Sequence, residues 1–386
     1  MARAALSRRL RRSPHLVSYW EREQLVVHNY ATGLSAGLST RAWQALAFFD
    51  DWRTPREFAS RAAVPMTAAR NLLASLVKAT LLQSSGRRSS RESAMERWST
   101  WNPAAGFFHM ATRDVRYIDP VEGDRLLRRK ARHQPLPSPI KTYRGSRTHD
   151  LPRVPADGEF PRVLLERRTW RQFSRRPLSL PALSGLLGLT GGIHHWASLR
   201  GQGVLPLKTS PSGGARHPIE LYVCARRVDG LRPGLYHYAP DRHRLELVRR
   251  QPRAVRVQRY INRQYWYEGA AALVFFTAVF ERYQWKYTSA RAYRATLIEA
   301  GHQCQTFCLV ATWLGLAPFC SMALADSQIE QDLGLDGISE SVLYAAGVGT
   351  RPPGSSWGSK PAGSPPLRVR SNTHILAQHE HKARPR

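Results

Sequence analysis

Carboxylates are scarce in this sequence. Asp and Glu total 28 against 58 Lys and Arg, a formal net charge of +30 with a pI near 11.1. An excess of that sign favours polyanions, phosphate-bearing ligands or acidic partners without choosing among them. Cysteine is scarcer still: Cys224, Cys304, Cys308 and Cys320 are too few and too widely spaced for a disulfide framework in 386 residues, which points to a reducing cytoplasm. Long hydrophobic runs are missing. The basic N-terminus is not followed by an apolar segment of signal length, and the longest apolar run, Ala270 to Phe280, is too short to span a bilayer as a helix. A soluble protein with no membrane partner is therefore expected. Two glycine signatures are missing as well. No GxxxxGK followed by Ser or Thr occurs, which excludes a P-loop. Gly347-Val348-Gly349 runs into Pro352-Pro353 instead of a third glycine and a helix, which excludes a Rossmann fingerprint.

What is present is enough apolar material for a real core: 42% hydrophobic residues, with 11 Trp and 14 Tyr, in a chain long enough for two domains. Much of the positive charge lies outside that material, in RRLRR at Arg8 to Arg12, in the stretch from Arg87 to Arg147 and in the last 36 residues. All three are rich in Pro, Ser or Arg, so they read as arms and linkers. The expected organisation is a disordered basic arm over 1–13, a small module over 14–84, an Arg/Pro-rich connector over 85–158, a main domain over 159–351 and a disordered tail over 352–386. Charge so distributed predicts non-specific adhesion to nucleic acid and no specific nucleic-acid partner.

In the first module, Leu16 to Trp20 and Gln24 to Tyr30 suit a hairpin. Helices are predicted from about Thr40 to Phe49, from Thr54-Pro55-Arg56-Glu57 with Thr as N-cap and Glu closing a capping box, and from about Thr67 to Leu82. Two strands and three short helices look like a winged-helix module. Such a module can bind DNA, yet the helix that would read it offers only Arg70, Asn71 and Lys78. The alternative is a peptide clamp in which an extended peptide adds to the hairpin edge. The connector is interrupted by TWNPAAGFFHMATRDVRYID, whose aromatics predict that it packs on something. From Glu159 the pattern is α+β, with helices near Pro161 to Arg168, Leu180 to Leu189 and Thr296 to Leu314. Strands are placed near Ile219 to Arg226, Gly234 to Ala239, Arg244 to Val248, Ala271 to Phe280 and Ser341 to Gly347.

Four constellations could carry chemistry. In ERRTWRQFSRRPLSL, the guanidiniums of Arg167, Arg168 and Arg171 surround the Thr169 hydroxyl at a helix end, which suits a phosphate clamp. In TSPSGGARHPIELYV, Pro211, Ser212, Gly213 and Gly214 make a small-residue turn that lets backbone N–H groups approach a flat or anionic ligand. LYAAGVGTRP places Arg351 after a buried strand as a further phosphate ligand. The helix EAGHQCQTFCLVATWLGLAPFCSM puts Cys304 and Cys308 on one face. A zinc site needs about four converging ligands, so with Phe307, Leu309 and Trp313 around them these cysteines read as core and no metal is expected. A fifth stretch, QWKYTSARAYR from Gln284 to Arg294, leaves the apolar run through cations and phenols. Composition does not decide between a solvated turn, a nucleic-acid patch and a catalytic site.

The order and spacing of RRTWR (167–171), PSGGARHPIELYV (211–223), KY with YR (286–294), EAGHQCQ (299–305), LGLAP (314–318) and VLYAAGVG (342–349) resemble the nitroreductase superfamily of flavin enzymes. The likeness is specifically to its SagB/ThcOx-type branch, the peptide azoline dehydrogenases. PHLVSYW, NYATG and the helices after them are similar to the peptide-binding winged-helix region of that branch. The resemblance implies a nitroreductase-like FMN-binding fold formed by a homodimer. Arg167, Arg168, Thr169, Arg171 and Arg351 would lie at the phosphate, Pro211 to Gly214 beside ribityl and ring, and Pro318 near the isoalloxazine. It also implies oxidation of thiazolines or oxazolines in a ribosomal peptide, with Lys286 and Tyr287 as the catalytic pair. An adjacent ammonium favours a phenolate and desolvation favours a neutral amine, so either can act as base. Nothing in the chain looks like a cyclodehydratase, so a partner would make the azoline. The competing readings are a generic NAD(P)H-dependent nitroreductase or quinone reductase, a basic winged-helix nucleic-acid-binding protein with a vestigial flavin domain, and a non-catalytic scaffold.

Overall fold

A computed structural model describes residues 8–86, 89–141, 150–152, 154–155, 157–200, 202–250, 256–355 and 376–377. The chain divides into two units. One comprises Met1–Val115 with Val279–Ile298 and Leu335–Ser341; the other comprises Arg116–Ala278 with Glu299–Gly334 and Val342–Arg386. Among the described residues no helix is long and apolar enough to cross a membrane.

In the first unit Leu16–Glu21, Gln24–Asn29 and Leu34–Gly37 form an antiparallel three-stranded sheet in that order. Three helices follow, Thr40–Phe48, Pro55–Arg61 and Met66–Lys78. The capping box at the second is complete: Thr54 Oγ1 accepts from the Glu57 N–H at 3.2 Å, and the Glu57 carboxylate accepts from the Thr54 N–H at 2.6 Å. Ala69, Leu73 and Leu76 recur at helical spacing and are buried with Leu46, Phe49 and Phe58 in one core. Arg70, Asn71 and Lys78 stay exposed.

Two expectations are corrected here. Leu10–Arg12 is not part of a disordered arm: it is a strand paired antiparallel with Leu82–Ser84, and Leu10 is fully buried. A single apolar residue among arginines carries almost no periodic signal, so its partner strand decides the matter. The connector is likewise not irregular between Ser90 and His133, where it holds the helices Ser90–Met95, Ala104–Ala111 and Pro120–His133. Its first half belongs to the first unit because Trp98 and Trp101 are fully buried against Phe280 and Tyr293. The expected tail falls outside the described residues apart from Pro352 to Ser355 and the pair 376–377.

The second unit is built on a six-stranded sheet in the order Arg244–Arg250, Gly234–Ala239, Ile219–Ala225, Ala272–Val279, Glu340–Thr350 and Leu316–Ser321. Ile219–Ala225 lies third in the order and is buried along its whole length, and Ala272–Val279 beside it is buried at all but its last residue. That explains why both read as near-continuous apolar runs without alternation. The edge strand Leu316–Ser321, paired antiparallel with Glu340–Thr350, was not legible as a strand because Pro318 demotes such a run. Helices Glu159–Glu166, Leu180–Gly191, Arg291–Trp313 and Asp326–Leu333 complete the main elements.

Candidate functional site

The arginine motif sits where the helix Glu159–Glu166 ends: Arg167 caps it through its N–H to the Val163 carbonyl at 3.0 Å. The chain then runs extended, and the Trp170 N–H donates to the Pro318 carbonyl at 2.9 Å. Trp170 is buried, and two guanidiniums pack on its indole, Arg168 at 4.2 Å and Arg351 at 5.2 Å from the ring centroid. Arg351 is held by Nε to the Leu316 carbonyl at 2.9 Å and Nη2 to the Thr312 carbonyl at 3.2 Å. Burial, and the charge of Arg351, press the Arg168 guanidinium below the usual arginine range. Burial likewise lowers Arg351, with Glu166 offsetting part of the effect. Two cations are thus gathered on one aromatic ring in surroundings that disfavour their charge, which is a site that an anion would stabilise.

Pro318, Arg168 and Arg351 are therefore brought together through Trp170, a residue sequence reasoning left unnamed. Its signal was present: an aromatic flanked by arginines, whose ring faces suit guanidinium stacking. Thr169 is half-buried beside them. Arg171 lies near enough to the Tyr267 phenol to favour its ionised form, although burial prevails and raises that phenol. Phe173 accounts for a glycine. A Cβ on Gly349 would meet the Phe173 ring at 2.8 Å, so Gly349 makes room for an aromatic neighbour.

The turn Pro211 to Gly214 is anchored separately. Gly214, Ala215 and His217 all have positive φ, at 60°, 53° and 41°; glycine supplies the first without steric cost. The Ser212 hydroxyl accepts from the His217 N–H at 2.8 Å, and Ser210 and Thr306 share a 2.8 Å hydroxyl bond. His217 Nδ1 lies 3.6 Å from Glu299 Oε1 with both side chains buried, which ties the turn to the helix Arg291–Trp313.

Lys286 and Tyr287 belong to the first unit. They follow the short helix Glu281–Gln284 and bond back to the Tyr283 carbonyl through their N–H groups at 3.1 and 2.8 Å. Both are half-buried, and the Lys286 ammonium lies 5.7 Å from the Tyr287 ring centroid. What sequence reasoning missed is how this segment is held. Trp101 Nε1 donates to the Tyr287 carbonyl at 2.9 Å, and Trp98 Nε1 to the Ile338 carbonyl at 2.9 Å. His109 bridges the Tyr293 hydroxyl at 2.8 Å and the Gly337 carbonyl at 3.0 Å. The aromatic interruption of the connector was the signal, but nothing in it named its partner.

The Nitroreductase family pattern matches residues 164–350. A Methanocaldococcus jannaschii protein described as a nitroreductase, MJ1384, is 32% identical over 171 residues, spanning 44% of this chain and 82% of that protein. The trifolitoxin-processing protein TfxB of Rhizobium leguminosarum bv. trifolii is 30% identical over 172 residues, but this chain spans only 46% of its length. Among solved structures, an Anabaena variabilis protein described as a nitroreductase is 25% identical over 50% of this chain and 38% of that one, with a TM-score of 0.42. The E. coli microcin synthetase McbBCD complex is 19% identical over 69% of this chain and all of that one, at 0.45. The match to MJ1384 over most of its length and the pattern across the second unit agree, and the chain belongs to the Nitroreductase family of oxidoreductases.

Proposed function

We propose that the chain uses FMN to oxidise thiazoline or oxazoline rings in a ribosomally made peptide to thiazoles or oxazoles. The observation that carries the flavin is the pairing of Arg168 and Arg351 on Trp170. Two guanidiniums fit a phosphate monoester, and the positive-φ turn at Gly214 leaves backbone free of Cβ where a flat ring system could approach. In this reading Arg167, Arg168, Thr169, Arg171 and Arg351 hold the phosphate, while Pro211, Ser212, Gly213, Gly214 and Pro318 flank the rest. Bound FMN would supply a two-electron acceptor.

Aromatising an azoline removes a proton from the ring Cα and a hydride from Cβ, and the chain's own share of this is the proton. Lys286 and Tyr287 are the groups for it: the ammonium packed beside the phenol ring keeps the two in one local environment, so one can take the proton while the other steadies the charge. The peptide part of the reading rests on likeness to a trifolitoxin-processing protein and on the first unit. There, Leu16–Glu21 is an edge strand of its sheet, with Trp20 71% exposed on it, a surface that an extended leader peptide could extend. A separate cyclodehydratase would make the azoline, and a homodimer would complete the flavin site.

Purified protein should be yellow and release FMN on denaturation, and an azoline peptide should bleach it anaerobically. Lys286→Ala and Tyr287→Phe should keep the colour and lose peptide turnover; turnover that survives both changes overturns the assignment of the base. The second reading, a nitroreductase driven by a nicotinamide donor, is favoured by the match over most of MJ1384. Rapid bleaching by NADPH, with none by the peptide, selects it.

A further inference from the structure

Cys304 and Cys308 lie one turn apart on the helix Arg291–Trp313, and by themselves read as core. The fold adds a third thiol. Cys320, on the edge strand Leu316–Ser321, comes so close that the three sulfurs all lie within 4.8 Å of one another. Cys304 and Cys308 are buried and Cys320 is half-buried. The Tyr344 hydroxyl donates to Cys320 Sγ at 3.2 Å from the neighbouring strand. His302, on the same helix, is exposed and stands apart from the group.

We propose that Cys304, Cys308 and Cys320 form a three-coordinate thiolate site for a soft metal ion, Cu(I) in the first instance. With metal–sulfur bonds of about 2.3 Å, a trigonal site sets its sulfurs about 4 Å apart, so the three need close by less than about 1 Å. Zinc prefers four ligands, and among the described residues no fourth His, Cys, Asp or Glu joins this group. A soft monovalent ion is satisfied by three thiolates in an apolar setting, which is the chemistry that sulfur ligands select. Binding changes no oxidation state: each ligating thiol releases its proton to solvent as its sulfur–copper bond forms. The fourth cysteine supplies a control. Cys224 is buried alone on a strand of the sheet and its thiol is pushed up to about 12 by burial.

The test uses the full chain, reduced and free of other metals, titrated anaerobically with Cu(I) against a coloured Cu(I) chelator. Wild type and Cys224→Ser should withdraw one equivalent from the chelator, with X-ray absorption reporting three sulfur neighbours. Cys320→Ser and Cys308→Ser should withdraw none while keeping the wild-type near-ultraviolet circular dichroism. Should a serine variant unfold, Cys320→Ala at the half-buried position replaces it, and the sulfur count on wild type stands independently. Withdrawal of copper by Cys320→Ser as by wild type, fewer than three sulfurs, or failure of wild type to compete overturns the site.

Discussion

Two arginine clusters in the second unit make opposite use of the same side chain. At one, Arg249 and Arg259 close on Asp332: Arg249 Nη1 reaches Oδ1 at 2.8 Å, Arg259 Nε reaches Oδ2 at 2.7 Å, and the buried Tyr260 hydroxyl adds a third donor at 2.9 Å. Burial alone would push Asp332 up, but those donors outweigh it and hold the carboxyl below its usual range, while the carboxylate raises Arg259. At the other, Arg168 and Arg351 share an indole and both guanidiniums are lowered. The first cluster is complete within the chain. The second holds charge that its surroundings disfavour, and a phosphate held there, as proposed, would relieve it.

The largest effect should come from breaking the closed cluster. Asp332→Ala leaves a buried phenol and two guanidiniums without their acceptor, and loss of one partner of a buried pair typically costs about 3–5 kcal/mol. Because the side chains of Arg249 and Arg259 are 52% and 42% exposed, both can turn to water, so about 3 kcal/mol is expected in a urea titration. A loss under about 1 kcal/mol would mean that Asp332 does not hold the cluster closed.

The open cluster should answer to ligand rather than to denaturant. Arg351→Met keeps the length of the stem and removes a charged donor, which is worth about 1.5–3 kcal/mol in binding, or roughly ten- to a hundred-fold in FMN affinity. Arg259→Met should lower stability and leave that affinity unchanged. If the two variants cannot be told apart by flavin titration, the contrast between the clusters fails.

How far the sequence reveals this depends on whether a feature is local. The capping box at Thr54 and the apolar strand at Ala272 are set by neighbours within a few residues, and both stand where the pattern puts them. Arg168 and Arg351 are legible as cations at helix and strand ends, but their meeting on Trp170 is a product of two segments 183 positions apart. Leu10 fails for the same reason: its partner Ser84 lies far along the chain, and neither periodicity nor composition encodes which distant strand will pair. Cys320 is close in sequence to Cys308 but lies past the helix end on a strand, where the helical period no longer says which way it faces. The assignment of Trp98, Trp101 and His109 to the unit that holds Lys286 is a third case.

That third cluster sharpens the comparison, because a buried imidazole at its centre is closed by hydrogen bonds at both ring nitrogens. The Gly337 carbonyl can only accept, so His109 Nε2 carries the hydrogen and Nδ1 accepts from Tyr293. Burial, aided by the Arg113 cation, pushes its pKa down to about 3. Between that value and the unfolded one near 6.5, a proton binds the unfolded chain and not the folded one, so stability is full above about pH 6.5 and falls as pH drops through the window. The loss is about 1.4 kcal/mol for each pH unit. Burial also lowers His15 and His28 in the same unit, so the total slope belongs to all three and only a variant isolates His109. His109→Gln keeps one donor and one acceptor and cannot be protonated here. At pH 5.5 the variant should have lost about 1.4 kcal/mol less than wild type relative to pH 7.5, as read by urea midpoints. Equal losses would place the charge on His109 in the folded chain and show this cluster to be open after all.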